Sequence, residues 1–169
     1  MELSEFFARH PKAALAFSGG TDSALLLLAG VRAGAEIQPY FVASPFQPAF
    51  ERRDAEKLAA QAGVALRVIE LDTLADPLVR QNGPRRCYYC KKAVFTALRR
   101  QAEADGYTLL LDGTNASDDA ADRPGMQALA ELEVRSPLRE CGITKRQVRR
   151  LSKEMGLFTW SKPSYACLA

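Results

Sequence analysis

The sequence predicts an α/β protein: a doubly wound, mostly parallel five-stranded sheet with helices on both faces. Three observations predict it. Short apolar runs of strand length alternate with segments of helical length, as βαβ units require. Two glycines, Gly19 and Gly20, close the first apolar run directly ahead of a helical segment. Later helical segments are bounded by Gly106 and by the pair Thr144 and Gly156, residues suited to helix ends.

Taken in order, residues 12–18 form an apolar run that reads as a buried strand, and residues 22–33 have helical length and composition. Residues 36–43 are apolar again, with Pro39 expected near the strand start or at a bulge because it cannot donate to a ladder. Residues 48–62 carry Phe50, Leu58 and Ala62 among charges, as an amphipathic helix does, and 64–70 alternate at period two, as a strand does. Residues 72–89 hold Pro77, Gly83 and Pro84 and read as a long loop; 90–105 read as a helix that stops at Gly106. Residues 107–113 are the next strand, 133–138 a weak fifth one, and 144–156 a helix capped by Thr144.

Composition bounds the function. The chain has 169 residues, 47% hydrophobic and 25% charged, which is ordinary globular usage and excludes wholesale disorder. The balance of 23 Lys and Arg against 20 Asp and Glu leaves +3, too little for a chain that wraps nucleic acid. The longest apolar stretch runs only from Ala24 to Gly30, whereas a membrane span needs about 20 residues. The first residues have early acids and no apolar signal region, and four cysteines make no disulfide scaffold, so the expected compartment is the cytoplasm.

In parallel sheets ligands bind beyond the carboxyl ends of the strands, where the strand order reverses. Three loops lie there: 18–23, 43–47 and 112–123. In the first, Ser18-Gly19-Gly20-Thr21-Asp22-Ser23, the glycines allow positive φ and close approach of an anion, and the following helix offers unpaired N–H groups and a positive dipole end. Ser18 and Ser23 add hydroxyls, and Asp22 either caps the helix or holds Mg²⁺. The loop Asp112-Gly113-Thr114-Asn115 offers backbone and side-chain partners for a nucleotide, with Asp118 a second candidate Mg²⁺ ligand. Arg86, Lys91, Lys92, Arg123 and Lys162 are candidates for phosphate or substrate. Cys87 and Cys90 have the spacing of half a tetrahedral metal site; without a full ligand set, a packed or reactive pair is favoured over zinc or an iron–sulfur cluster. The run Lys145, Arg146, Arg149, Arg150 and Lys153 reads as a solvated basic face.

The hexapeptide at 18–23 resembles the PP-loop of the N-type ATP pyrophosphatases. That resemblance implies an adenine nucleotide alpha hydrolase-like fold, ATP with its α-phosphate open to attack, and an adenine near Ala43 and Ser44. The ordered set SerGlyGlyThrAspSer, AsnGlyProArgArgCysTyrTyrCysLysLys, AspGlyThrAsn, ArgSerProLeu and TrpSerLysProSerTyrAlaCysLeuAla resembles the LarE family of ATP-dependent sacrificial sulfur transferases, from about Ala14 to Ala169. The resemblance implies a PP-loop domain over 1–160 and a cysteine-bearing segment over 161–169. It implies that a pyridinium dicarboxylate mononucleotide is adenylylated and that Cys167 supplies the sulfur, in the biosynthesis of a nickel-pincer cofactor. Lys162 would support the thiolate. Some members of the family ligate an iron–sulfur cluster instead.

Family members continue past the cysteine motif into a second, substrate-binding domain that these residues do not include, so a homo-oligomer, a partner protein or further chain is expected to complete the site. The competing readings are another PP-loop enzyme, for tRNA thiolation or deazaguanine nitrile synthesis, and a non-catalytic ATP-binding module.

Overall fold

The computed structural model describes residues 1–43, 49–72, 77, 86–118 and 123–162. After helix α1 (Leu3–Arg9) come β1 (Lys12–Ala16), α2 (Thr21–Arg32), β2 (Glu36–Ala43), α3 (Ala49–Ala62) and β3 (Arg67–Glu70). They are followed by α4 (Arg86–Ala104), β4 (Leu110–Leu111), α5 (Arg123–Glu131), a short α6 (Pro137–Glu140), α7 (Lys145–Glu154) and a 3₁₀ turn over Phe158–Ser161. The strands are parallel in the order β3-β2-β1-β4. The chain steps outward from β1 to β3, then returns to the other side of β1, so the order reverses between β1 and β4.

Alternation along β1 divides the interior. Ala13 and Leu15 face a core shared with α1, α2, α3 and α7, where Phe6, Phe7, Leu25, Leu58 and Val148 pack. Ala14 faces the opposite core, built with Tyr40, Phe95, Leu98 and Leu129 of β2, α4 and α5. Helix α2 is apolar almost all round because it is enclosed: Leu25, Leu26 and Leu27 are each at most 1% exposed. Gly30 sets how closely it can lie, since a Cβ there would stand 2.8 Å from Ile37 Cγ1.

The sheet has four strands among the described residues, where five were expected. Residues 133–138 supply only a bridge between Leu111 and Arg135. Arg135 N donates to Leu110 O and Asp112 N donates to Arg135 O, but the ladder stops there. Pro137 opens α6 two residues later, and the Ser136 hydroxyl turns to Asp112.

Two other strands are shorter than expected for a related reason. Helix closure consumes their first residues: Val64 N donates to Ala59 O and Tyr107 N to Ala102 O. Pro39 sits in mid-strand without a bulge. It precedes Tyr40, where the β3 ladder begins, so its missing N–H costs no strand bond on that side. Helix α4 begins at Arg86, four residues before the expected start, which puts Cys87 and Cys90 in its first turns. Among the described residues no helix is long and apolar enough to cross a membrane.

Candidate functional site

A cavity of about 470 Å³ opens beyond the carboxyl ends of β1 and β4, at the point where the strand order reverses. Its first wall is the turn after β1. Phe17 N still bonds Tyr40 O at 2.9 Å, and the chain then leaves the sheet. Gly19 takes φ +77°, a conformation other residues rarely adopt. Gly20, expected to do the same, is instead extended (φ −82°, ψ 175°) and serves as the N-cap of α2. With no side-chain cap on α2, the amides of its first turn lie where Gly20, Thr21, Asp22 and Ser23 line the cavity. The Ser18 and Ser23 hydroxyls lie 3.2 Å apart and close the turn.

Asp22 does not cap the helix. Its Oδ2 accepts from Lys145 Nζ at 3.0 Å and its Oδ1 from Asn115 Nδ2 at 3.2 Å. The Asp22 carboxylate, beside the amides of the turn, is thus neutralised by an ammonium. Lys145 is the first residue of α7, placed by a capping box in which Thr144 and Gln147 bond each other's backbone N–H. The basic run therefore divides: Lys145 enters the cavity and Arg149 Nη1 binds the carbonyls of Trp160 and Lys162, so the face is not merely solvated.

The second wall follows β4. Asp112 is 7% exposed, and burial raises its pKa against the lowering effect of three donors and of Lys91. The donors are the Ser136 hydroxyl at 2.5 Å, the Thr114 hydroxyl at 2.6 Å and the Thr114 N–H at 3.3 Å. Gly113 is needed for contact between elements: a Cβ there would lie 3.0 Å from Ser23 N and 3.3 Å from Asp22 Cβ. Asn115 links the walls, since its backbone N–H donates to Asp118 Oδ2 at 2.8 Å while its amide holds Asp22.

Lys91, Lys145 and Lys162 converge on the cavity, and Glu51 faces them with its pKa raised by burial and partly restored by Lys162. The opposite side is apolar, formed by Ala16, Tyr40, Val42, Val94, Phe95 and Leu98. The small side chain of Ala16 leaves room between the sheet and α4. One end thus suits a polyanion and the other a flat, weakly polar group.

Of the residues singled out by sequence, Ser18, Gly20, Asp22, Ser23, Lys91, Gly113, Thr114, Asp118 and Lys162 line this one cavity. Gly19 and Asn115 support it from behind. Ala43 does not line it; its carbonyl accepts from Leu71 N, and Tyr40 and Val42 face the space instead. Lys92 points elsewhere, bonding Tyr88 Oη at 3.3 Å and pairing with Glu131 at 3.8 Å. Cys90 lines the cavity. Ser44 and Cys167, and the side chains of Arg86, Cys87 and Arg123, lie outside the described residues. Sequence reasoning missed Lys145, although its place directly after an N-cap was visible, and Asp112, although it opens a quoted motif.

The described residues contain no group of three or more His, Cys, Asp or Glu able to enclose a metal. Mg²⁺ typically needs only one or two carboxylates, the rest coming from phosphate and water. Asp22 and Asp118, which both line the cavity and are tied through Asn115, fit that lesser demand.

No protein-family model matches the chain. It is 36% identical over 168 residues to an uncharacterized protein of Synechocystis, covering 99% of this chain and 63% of that one. It is 35% identical over 150 residues to the pyridinium-3,5-bisthiocarboxylic acid mononucleotide synthase of Lactiplantibacillus plantarum, covering 88% of this chain and 54% of the relative. The chain thus spans rather over half the length of these relatives. Its fold is shared with an NMN synthetase from Francisella tularensis, at a TM-score of 0.77 and 18% identity, over 96% of this chain and 70% of that structure.

Proposed function

We propose that the chain, over the length it spans, is a PP-loop protein of the LarE type, and that it adenylylates a carboxylate of a pyridinium dicarboxylate mononucleotide with ATP and then delivers sulfur from Cys167. One observation carries the proposal. The glycine turn, a helix start with no side-chain cap and three lysines meet at the switch point of the sheet, beside an apolar slot between the sheet and α4.

The chemistry follows from the charges. A carboxylate resists attack because its oxygen leaves poorly. Its oxygen attacks the α-phosphorus, the bond to the β-phosphate bridge breaks, and pyrophosphate departs from an acyl-adenylate. The turn amides and Lys145 take up the charge that accumulates on the departing pyrophosphate. Asp22 would hold Mg²⁺ with Asp118, which when bound screens the phosphates. The Cys167 thiolate then attacks the acyl carbon and AMP leaves. Loss of the Cα proton, with cleavage of the Cβ–S bond, sends the electron pair to sulfur, leaving a thiocarboxylate and dehydroalanine.

The test is intact mass of the complete protein before and after incubation with ATP, Mg²⁺ and the pyridinium dicarboxylate mononucleotide. Loss of the elements of H₂S, mapped to Cys167, is expected; AMP and pyrophosphate release with an unchanged protein mass would refute the sacrificial step.

A further inference from the structure

Lys162 lies five positions before Cys167 and is held at both ends. Its side chain is 11% exposed, and Nζ donates to Asp54 Oδ2 at 2.7 Å and to Gly19 O at 3.0 Å. Its backbone carbonyl accepts from Arg149 Nη1 at 2.8 Å, and its N–H donates to Thr159 O. Thr159 O also accepts from the Thr21 hydroxyl at 3.0 Å. The segment leading to Cys167 is therefore pinned to the phosphate turn at two points, Thr21 and Gly19.

The second pin has a geometric consequence. In a trans peptide the C=O and the next N–H point in opposite directions. Gly19 O turned toward Lys162 therefore directs Gly20 N–H the other way, where it donates to the Ser18 hydroxyl at 3.3 Å on the cavity side. Between two glycines such a peptide flips at little steric cost. A flipped peptide would present a carbonyl, not an amide, to an anion. On its other side Gly19 is wedged against α3, where a Cβ would lie 2.8 Å from Glu51 O. Among the described residues no other donor bonds Gly19 O.

We propose that Lys162 is a positioning residue: anchored by Asp54, it locks the Gly19–Gly20 peptide with its amide on the cavity side, beside the Ser18 hydroxyl, so that the turn is competent only while residues 159–162 stay pinned to it. This rests on reading the turn as a nucleotide site, and it differs from direct contact between Lys162 and a phosphate in the sign of one effect. If Asp54 supports the lock, Asp54→Asn weakens MgATP binding. If Asp54 merely competes with a phosphate for Lys162, Asp54→Asn strengthens it.

The experiment uses the complete protein and MgATP alone, with binding followed by calorimetry. Lys162→Met is expected to raise Kd about tenfold, as loss of one charge-assisted bond does, Lys162→Arg to restore most of it, and Asp54→Asn to raise Kd in the same direction. Amide exchange in the nucleotide-free protein should accelerate at Gly20 in both Lys162→Met and Asp54→Asn. Tighter binding in Asp54→Asn, or unchanged Gly20 exchange in Lys162→Met, overturns the lock while leaving the nucleotide reading intact. A wild type that binds no MgATP overturns both, and failure of sulfur transfer with these binding results in place overturns only the assigned chemistry.

Discussion

If the turn after β1 holds phosphate as proposed, Lys145 decides whether a carboxylate can sit beside it. Asp22 faces the cavity, and the ammonium 3.0 Å away offsets its field. Lys145→Met leaves that charge opposing the nucleotide, and the loss of a charge-assisted contact, worth about 1.5–3 kcal/mol, predicts a fall of roughly 10–100-fold in kcat/KM for ATP, measured by pyrophosphate release. An unchanged value would show that Asp22 is neutralised by other means. Asp112 makes a second prediction through its raised pKa. The folded state holds this proton more tightly than the unfolded chain, where the ordinary value is 3.8. Its ionised form is therefore a cost that is absent at the lowest pH, grows as pH rises through 3.8, and levels off above the folded value. Urea unfolding of wild type against Asp112→Asn should show the wild type losing ground as pH climbs over that window; parallel curves would mean that the three donors fully offset burial.

Helices and strands meet at this site through backbone contact, which makes glycine the sensitive position. A methyl at Gly113 would press on Ser23 N, at the start of the helix that carries the phosphate turn. Gly113→Ala should cost about 1–3 kcal/mol by overpacking and should weaken nucleotide binding further by moving the second wall away from α2. Chemical denaturation and MgATP titration of the variant check the two effects separately. The same elements show how much was legible in the sequence. Residues 36–43 match β2 to the residue because an apolar run there is bounded on both sides, and α7 lies within the expected 144–156 because Thr144 and Gly156 mark its two ends locally. The strands after α3 and α4 were read too long, since an apolar residue that closes a helix looks the same in sequence as one that opens a strand. The fifth strand failed for a tertiary reason: Ser136 bonds Asp112 across the fold, a partner that no local pattern announces. The glycine turn was legible because its residues are contiguous, whereas Lys145 reaches Asp22 from 123 positions away.

At the scale of the molecule, the cavity draws its walls from both sides of the sheet reversal and from the far end of the described chain. Residues 16–23 and 112–118, together with Lys91, Lys145 and Lys162, converge on one space. A ligand that bridges these pieces couples them, so its binding free energy enters the stability of the fold. With MgATP at 100 times its Kd the gain is about 2.7 kcal/mol, and at about 2–4 °C per kcal/mol for a protein of this size the midpoint of thermal unfolding should rise by roughly 5–10 °C. Lys145→Met at the same nucleotide concentration should lose most of that rise, because its Kd is higher, while its midpoint without nucleotide moves little. Lys145 is about a quarter exposed, and partly exposed ion pairs contribute modestly to folding. Scanning calorimetry of both proteins with and without MgATP measures all four midpoints. An equal rise in the two proteins would place the nucleotide somewhere other than the cavity beside Asp22.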